Sequence, residues 1–269
     1  MIRRAFEIGG RFYSYQKTRF PIVILAISLL PAILSSGAIV ATHPTIITAA
    51  MLLLASIAYL LHIRIADDYR DFEHDNIYHL DRPLQTGQIT KADLRAIDVL
   101  AVLILLTIAA VSGFTAFIIA LIMLVYSYLA GNEFFFKNKI KPYFFIYNSL
   151  NLLQMLLMQA FVYTIFARHF PLTDLVTLHF VFTTIGTIIF EFIRKLKIPG
   201  NDGLGKDTYS WHLGFRKAMI IYLGLALASV MVFDRLANLI SNQSASWLLL
   251  AAILATILTV FAAVHLIRK

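Results

Sequence analysis

Four aspartates lie close together in a polar stretch that directly follows a long apolar run: Asp67, Asp68, Asp71 and Asp75. If the apolar run continues as a helix, a turn of about 100° per residue places all four carboxylates on one quarter of its surface. Arg70 and Glu73 then point elsewhere. Like charges this close repel strongly unless a cation lies between them. Because carboxylate oxygens are the ligands that Mg²⁺ prefers, the cluster predicts a magnesium site.

Arg82 follows the cluster, in the segment Arg82-Pro83-Leu84-Gln85-Thr86-Gly87. Arginine binds phosphate through two parallel hydrogen bonds, and a Pro and a Gly at this spacing favour a turn. We therefore expect Arg82 to reach a phosphate held at the metal site. The alternative is an acidic, solvated loop at a membrane surface, with a purely structural Arg82.

The composition places these polar residues in a membrane protein. Of 269 residues, 59% are hydrophobic and 14% are charged, whereas soluble domains have about 45–50% and about 25%. The chain has no cysteine, which excludes disulfides, Cys-ligated zinc, iron–sulfur clusters and thiol nucleophiles.

Apolar runs long enough to cross a bilayer core of about 30 Å occur throughout the chain. The sequence predicts eight spans, at residues 20–41, 45–63, 96–112, 114–130, 143–167, 172–190, 215–233 and 245–267. The short connection at Gly113 predicts a tight helical hairpin. We expect one polytopic membrane domain, with halves at about residues 1–142 and 143–269.

The basic residues indicate the orientation of the spans. With this count of spans, all but Arg168 and Arg235 of the 23 Lys and Arg residues fall on one side. Because Lys and Arg accumulate on the cytoplasmic side, we expect both termini in the cytoplasm, with the protein in the inner membrane if it is bacterial. The net charge of +8 then reflects topology and lipid headgroups, and we predict no nucleic-acid partner.

The segment DDYRDFEHD, followed by RPLQTG, resembles the first signature of the UbiA superfamily of intramembrane prenyltransferases. Asp68, Asp71 and Asp75 match its three aspartates, and Asp67 stands at its asparagine. Arg82, Pro83 and Gly87 match its later positions.

The resemblance implies an all-α integral membrane protein of about eight transmembrane helices, in two four-helix halves around a central cleft with cytoplasmic cap loops. It implies Mg²⁺-dependent transfer of a prenyl group from an isoprenyl diphosphate to a small acceptor, aromatic or phosphorylated. The acceptor is not identified. Catalysis would fall to Asp68, Asp71, Asp75 and Arg82, with Asp67 as a further metal ligand.

The second signature of the family departs from its usual pattern in this chain. Glu191 stands for its first aspartate, but Lys195 occupies the position of its second. Either Asp202 and Asp207 fold back to complete a second metal site with Glu191, or Arg194 and Lys195 contact phosphate directly. A loop that serves only the positive charge bias of the cytoplasmic side is the third reading.

Three further residues are candidates for substrate binding. Tyr126 lies near the expected headgroup level, and Asn148 and Asn151 are spaced to face a cavity from the fifth span. Hydrogen bonds between helices, and the preference of aromatic residues for the membrane interface, explain them about as well.

Other functions fit less well. An ion transporter usually carries ionisable residues deep in the bilayer, and no Asp, Glu, Lys or Arg lies near the centre of a predicted span. A lipid flippase could use the same headgroup site, and a UbiA-type terpene cyclase would share the donor chemistry. The Asp-Gly-x-x-Ala-Arg opening of CDP-alcohol phosphotransferases is absent from the sequence.

Overall fold

The computed structural model describes residues 2–40, 45–136, 143–169, 171–197 and 208–241. Every regular element within these ranges is helical. The α-helices are α1 (Ile2–Thr18), α2 (Ile22–Val40), α3 (Ile46–Arg70), α4 (Phe72–Tyr78), α5 (Lys91–Ser112), α6 (Phe114–Gly131), α7 (Phe144–Ala167), α8 (Asp174–Arg194), α9 (Tyr209–Leu213) and α10 (Phe215–Ser241).

Seven of these helices are long and apolar enough to cross a membrane: α2, α3, α5, α6, α7, α8 and α10. They correspond to the first seven predicted spans, and the predicted eighth, residues 245–267, lies outside the described residues. Large apolar side chains point outward from them, for example Ile27 (68% exposed) and Phe114 (80% exposed). An outward apolar surface of this kind suits lipid contact. The chain is an integral membrane protein, and the all-helical prediction is confirmed.

Local sequence signals fix several helix ends. Thr90 and Asp93 form a capping box at the start of α5, each side chain accepting a hydrogen bond from the other's backbone N–H. Such a box satisfies two amide donors that the first helical turn leaves without partners. Gly113 joins α5 to α6 with φ of 125°, a conformation that favours glycine. The predicted tight hairpin is therefore present.

The chain divides into two compact units, residues 1–171 and 172–269. In the first unit, α3 packs against α2, α5, α6 and α7. Its core includes the fully buried Leu52, Tyr59, Leu105 and Phe161. The polar end of α3 is therefore positioned by four apolar neighbours.

In the described part of the second unit, α8 and α9 both pack against α10. Phe182 of α8 meets Phe233 of α10, with ring centroids 5.8 Å apart. Phe192 stacks on Tyr209 at 3.9 Å. These contacts hold the end of α8, where Glu191 lies, beside the start of α9.

One close helix contact in the first unit depends on glycine. A Cβ at Gly37 of α2 would lie 2.7 Å from the Phe166 ring of α7. A neighbour this close must shift, because carbon atoms in van der Waals contact are about 3.5–4.0 Å apart.

Gly37→Ala should therefore destabilise the first unit. Gly186→Ala is the control, because no atom lies within 4 Å of the Cβ that it adds to a helix. We expect the free energy of unfolding of Gly37→Ala to be lower than that of Gly186→Ala by about 1–3 kcal/mol, the usual cost of overpacking. Thermal or SDS unfolding of the purified variants measures the difference. Adding Phe166→Ala to Gly37→Ala should remove the overlap, and equal stability of the two glycine variants would contradict this packing.

Candidate active site

The predicted acidic cluster lies at the junction of α3 and α4. The Asp71 amide donates to the Asp67 carbonyl at 2.9 Å, and the Asp75 amide donates to the Asp71 carbonyl at 2.8 Å. The helix is nevertheless interrupted at Asp71, which has φ of −91° and ψ of 4°. The expectation of one continuous helix with four carboxylates on a single edge is therefore wrong. The aspartates are instead shared between the end of α3, the junction and α4.

Asp68 is buried, with 3% of its surface exposed. The Tyr15 hydroxyl donates to its carboxylate at 2.6 Å, and the Arg64 guanidinium lies 3.0 Å away. Arg19 forms a second ion pair with it. Burial and the adjacent carboxylate raise the pKa of Tyr15, so that the tyrosine stays protonated and donates.

Arg70 joins the two more exposed carboxylates of the cluster. Its guanidinium lies 2.8 Å from Asp67 and 3.2 Å from Asp71. The expectation that Arg70 points away from the cluster is wrong, because an arginine is long enough to reach residues three positions before it on a helix. Arg70 of α3 thus neutralises the charge of these two carboxylates.

A helix from elsewhere in the first unit also contacts Arg70. The Tyr147 ring of α7 has the guanidinium over it, 5.8 Å from the ring centroid. This distance falls within the range of cation–π attraction. Asn151 lies one helical turn after Tyr147 on α7 and interacts with its side chain. Asn151 is therefore one contact removed from the acidic cluster.

Asp75 is as buried as Asp68, with 2% exposed. The Arg82 side chain forms an ion pair with it. The segment after Arg82 is a turn in which the Thr86 amide donates to the Arg82 carbonyl at 2.9 Å, and Gly87 has φ of 74°. The turn predicted from Pro83 and Gly87 thus brings Arg82 back to the acidic cluster.

Each carboxylate of the cluster contacts an arginine rather than a set of other acids. Among the described residues, no three His, Asp or Glu side chains are arranged to hold a metal ion together. The donor chemistry nevertheless fits Mg²⁺, since all the candidate ligands are carboxylate oxygens. Asp67 and Asp71, with side chains 30% and 35% exposed, already share one cation, Arg70. Asp67 and Asp71 are therefore the carboxylates that would hold a magnesium ion.

The second unit holds Glu191 in a cationic setting. Arg194 lies 2.8 Å from its carboxylate and Lys195 lies 3.0 Å from it. Burial, and secondarily the Glu191 charge, raise the pKa of the nearby Tyr209 to about 12. Glu191 therefore joins the two residues that are predicted to contact phosphate. Asp202 and Asp207, its predicted partners, lie outside the described residues.

Tyr126 and Asn148 make contacts within the helix bundle. The Tyr126 hydroxyl donates to the Leu150 carbonyl at 2.8 Å, which ties α6 to α7. Asn148 is buried, and its amide donates to the Phe144 carbonyl at 2.7 Å. The Tyr126 contact joins two helices, whereas the Asn148 contact stays within α7. The substrate-binding roles of both residues stay predictions.

Four residues around the cluster were not predicted from the sequence: Tyr15, Arg19 and Arg64, which contact Asp68, and Tyr147, which contacts Arg70. Arg64 precedes Asp68 by four positions, so helix periodicity could have found it. The other three come from distant parts of the chain, and no local spacing signals them.

No protein-family model and no curated protein matches the chain. Solved structures do resemble it. A UbiA homolog from Aeropyrum pernix K1 in its apo form matches with a TM-score of 0.62 and 14% identity, over 88% of this chain and 89% of that one. A UbiA homolog from Archaeoglobus fulgidus bound to DMAPP and Mg²⁺ matches with a TM-score of 0.60 and 14% identity, over 91% and 86%.

A structure described as digeranylgeranylglyceryl phosphate synthase also matches, with a TM-score of 0.61 and 17% identity over 97% of this chain and 88% of that one. These likenesses span nearly the whole chain in each case. The all-helical membrane fold implied by the resemblance is confirmed, and this chain has the UbiA fold. The count of eight transmembrane helices and the cap loops stay predictions.

Proposed function

We propose that this protein is a prenyltransferase, which transfers a prenyl group from an isoprenyl diphosphate to a small acceptor within the membrane with the help of Mg²⁺. The observation that carries the proposal is the acidic cluster at the end of α3, with Arg82 returned to it by a turn. The UbiA homolog from Archaeoglobus fulgidus has been solved with DMAPP or GPP and Mg²⁺, which supports this assignment.

Asp67 and Asp71 are the carboxylates best placed to hold the metal, since they are the more exposed pair and share one cation. When bound, Mg²⁺ would neutralise charge on the leaving diphosphate. Metal roles for Asp68 and Asp75 require each of these buried carboxylates to exchange arginine contacts for the ion. In their present contacts, they fix the positions of Arg19, Arg64 and Arg82.

The arginines supply the positive charge that this reaction needs. Arg82 binds the diphosphate and stabilises the charge that develops as the C–O bond to the prenyl group breaks. Arg70 does the same once it leaves its carboxylates. The Tyr147 ring, which already faces a guanidinium, offers a surface that stabilises an allylic cation.

In the second unit, Arg194 and Lys195 are proposed to contact phosphate, and Glu191 holds them in place. The altered second signature then replaces an acidic metal ligand with a direct cationic one. We therefore expect an anionic acceptor to bind more tightly than a neutral one. Both termini are proposed to lie in the cytoplasm, on the side of the acidic cluster.

Asp71→Asn should abolish Mg²⁺-dependent release of diphosphate. Because Asp71 is partly exposed, we expect the variant to fold normally while losing at least about 100-fold in turnover, as is usual when a charged group at the reacting centre is removed. Diphosphate release from geranyl, farnesyl and geranylgeranyl diphosphates in lipid nanodiscs, with a membrane extract as acceptor source, measures this loss.

Glu73→Gln is the matched control, since Glu73 is an exposed acid of α4 that pairs with no cation among the described residues. It should retain the activity of the wild type. Equal, Mg²⁺-dependent release by Asp71→Asn would remove this residue from the metal site. Donor binding without release by the wild type would favour a flippase.

Lys195→Gln should raise the KM for the diphosphate donor or for an anionic acceptor by about 10-fold, because a partly buried charge-assisted contact contributes about 1.5–3 kcal/mol. Lys197→Gln removes the same charge from an exposed side chain two residues away, and should change KM little. Steady-state kinetics of both variants test the difference. Equal KM values for the two variants would indicate that Lys195 serves only the positive charge of the cytoplasmic side and its ion pair with Glu191.

A further inference from the structure

A cavity of about 480 Å³ opens between α3, α5 and α6 in the first unit. Its volume lies in the range of small-molecule sites. Its walls include His62, Ser127, Tyr128 and Asn132, and also Arg70. Because Arg70 contacts Asp67 and Asp71, this cavity borders the acidic cluster.

Three side chains from three helices form a continuous hydrogen-bonded chain at this cavity. His62 Nδ1 lies 2.7 Å from Asp98 Oδ1, and His62 Nε2 lies 2.8 Å from Ser127 Oγ. The His62 and Asp98 side chains are 16% and 27% exposed. The order serine, histidine, aspartate is the arrangement that enzymes use to remove a proton from a hydroxyl.

The contacts determine which way protons can move. The Asp98 carboxylate can only accept, so Nδ1 of the neutral ring carries the proton and Nε2 is an acceptor. Ser127 has a second acceptor, the Leu124 carbonyl at 2.9 Å. If His62 takes a proton on Nε2, it can donate to Ser127 Oγ while the serine hydroxyl turns to Leu124. Both protonation states of the chain are therefore satisfied.

Other charged and titratable groups around the cavity are few. Arg70 and Tyr69 face it from α3, and Tyr128 faces it from α6. On α5, Arg95 lies near Tyr69, and Asp98 is the carboxylate in contact with His62. Asp98 is thus the group placed to stabilise a protonated His62.

We propose that this cavity binds the acceptor of the prenyl transfer through a hydroxyl group, and that Ser127, His62 and Asp98 take the hydroxyl proton. The proposal rests on the prenyltransferase function proposed above, and it specifies the acceptor as an alcohol or a phenol. The acceptor hydroxyl donates to Ser127 Oγ, next to the wall that carries Arg70.

The C–O bond between the prenyl carbon and diphosphate breaks, and its electron pair leaves with diphosphate. A lone pair of the acceptor oxygen forms the new C–O bond to the prenyl carbon. The acceptor proton passes to Ser127 Oγ as the serine proton passes to His62 Nε2, and the imidazolium is held by Asp98. The products are a prenyl ether, diphosphate and one proton.

His62→Gln should lower kcat for an alcohol or phenol acceptor by about 10²–10⁴-fold, the usual contribution of a general base. The KM for the acceptor should change less than about 3-fold, because glutamine can keep both hydrogen bonds. Acceptor-independent diphosphate release should persist, whereas Asp71→Asn loses it. Ser36→Ala, which breaks the hydrogen bond from Gln159 that joins α7 to α2, is the control for a lost interhelical contact.

A second measurement does not depend on turnover. A diazirine-bearing octanol should photolabel Tyr128 or Asn132 in wild type at least 5-fold more than the matching diazirine octane, as mapped by mass spectrometry. Ser127→Ala should remove the difference while leaving the melting temperature close to that of Ser36→Ala. Equal labelling by both probes, or unchanged kcat in His62→Gln, would overturn the proposal. If the wild-type protein itself releases no diphosphate, the proposed function is contradicted instead.

Discussion

The burial of carboxylates at the end of an apolar helix is the constraint on which the rest of the site depends. Asp68 and Asp75 are almost fully buried, and an unpaired buried charge costs several kcal/mol. Each is therefore met by arginine: Arg19 and Arg64 at Asp68, and Arg82 at Asp75. Breaking one of these pairs by removing a single partner leaves the other charge without compensation.

This requirement for cations also determines where other segments pack. α1 is held to the end of α3 through Tyr15, which with Arg19 contacts Asp68. It is held to α5 through Arg11, which lies 2.8 Å from Asp93. The same Asp93 caps α5 with Thr90. A helix that precedes the first span is thus tied to α3 by a hydrogen bond from Tyr15 and to α5 by an ion pair of Arg11.

Much of this fold could be predicted from the sequence, because each span carries its own signal. A long apolar run predicts a membrane helix wherever it stands, and Gly113 alone predicts the hairpin between α5 and α6. The turn that returns Arg82 to the cluster is also local, since Pro83 and Gly87 lie within it. The Asp-rich signature then indicated the fold that the solved structures share.

The arrangement of charge could not be predicted in the same way. A helical projection correctly places Asp67 and Asp71 close together. It places Arg70 on another side of the helix, because it does not consider that a long side chain can bend back to both carboxylates. The partners Tyr15, Arg19 and Tyr147 lie far from the aspartates in sequence, and only the packing of α1 and α7 brings them close. A helical projection is also valid only while the helix continues, and here it ends at Asp71.

In the proposed function, the guanidinium that Asp67 and Asp71 share would link metal binding to phosphate binding. On the proposed assignment, a divalent cation held by Asp67 and Asp71 would compete with Arg70 for these carboxylates, and an arginine released from them would lack an anion. A diphosphate bound at the same place supplies one. Each event removes an electrostatic cost from the other, and such coupling is reciprocal by thermodynamic necessity. Metal and diphosphate should therefore bind together more tightly than either binds alone, with Arg70 as the group that exchanges one anion for the other.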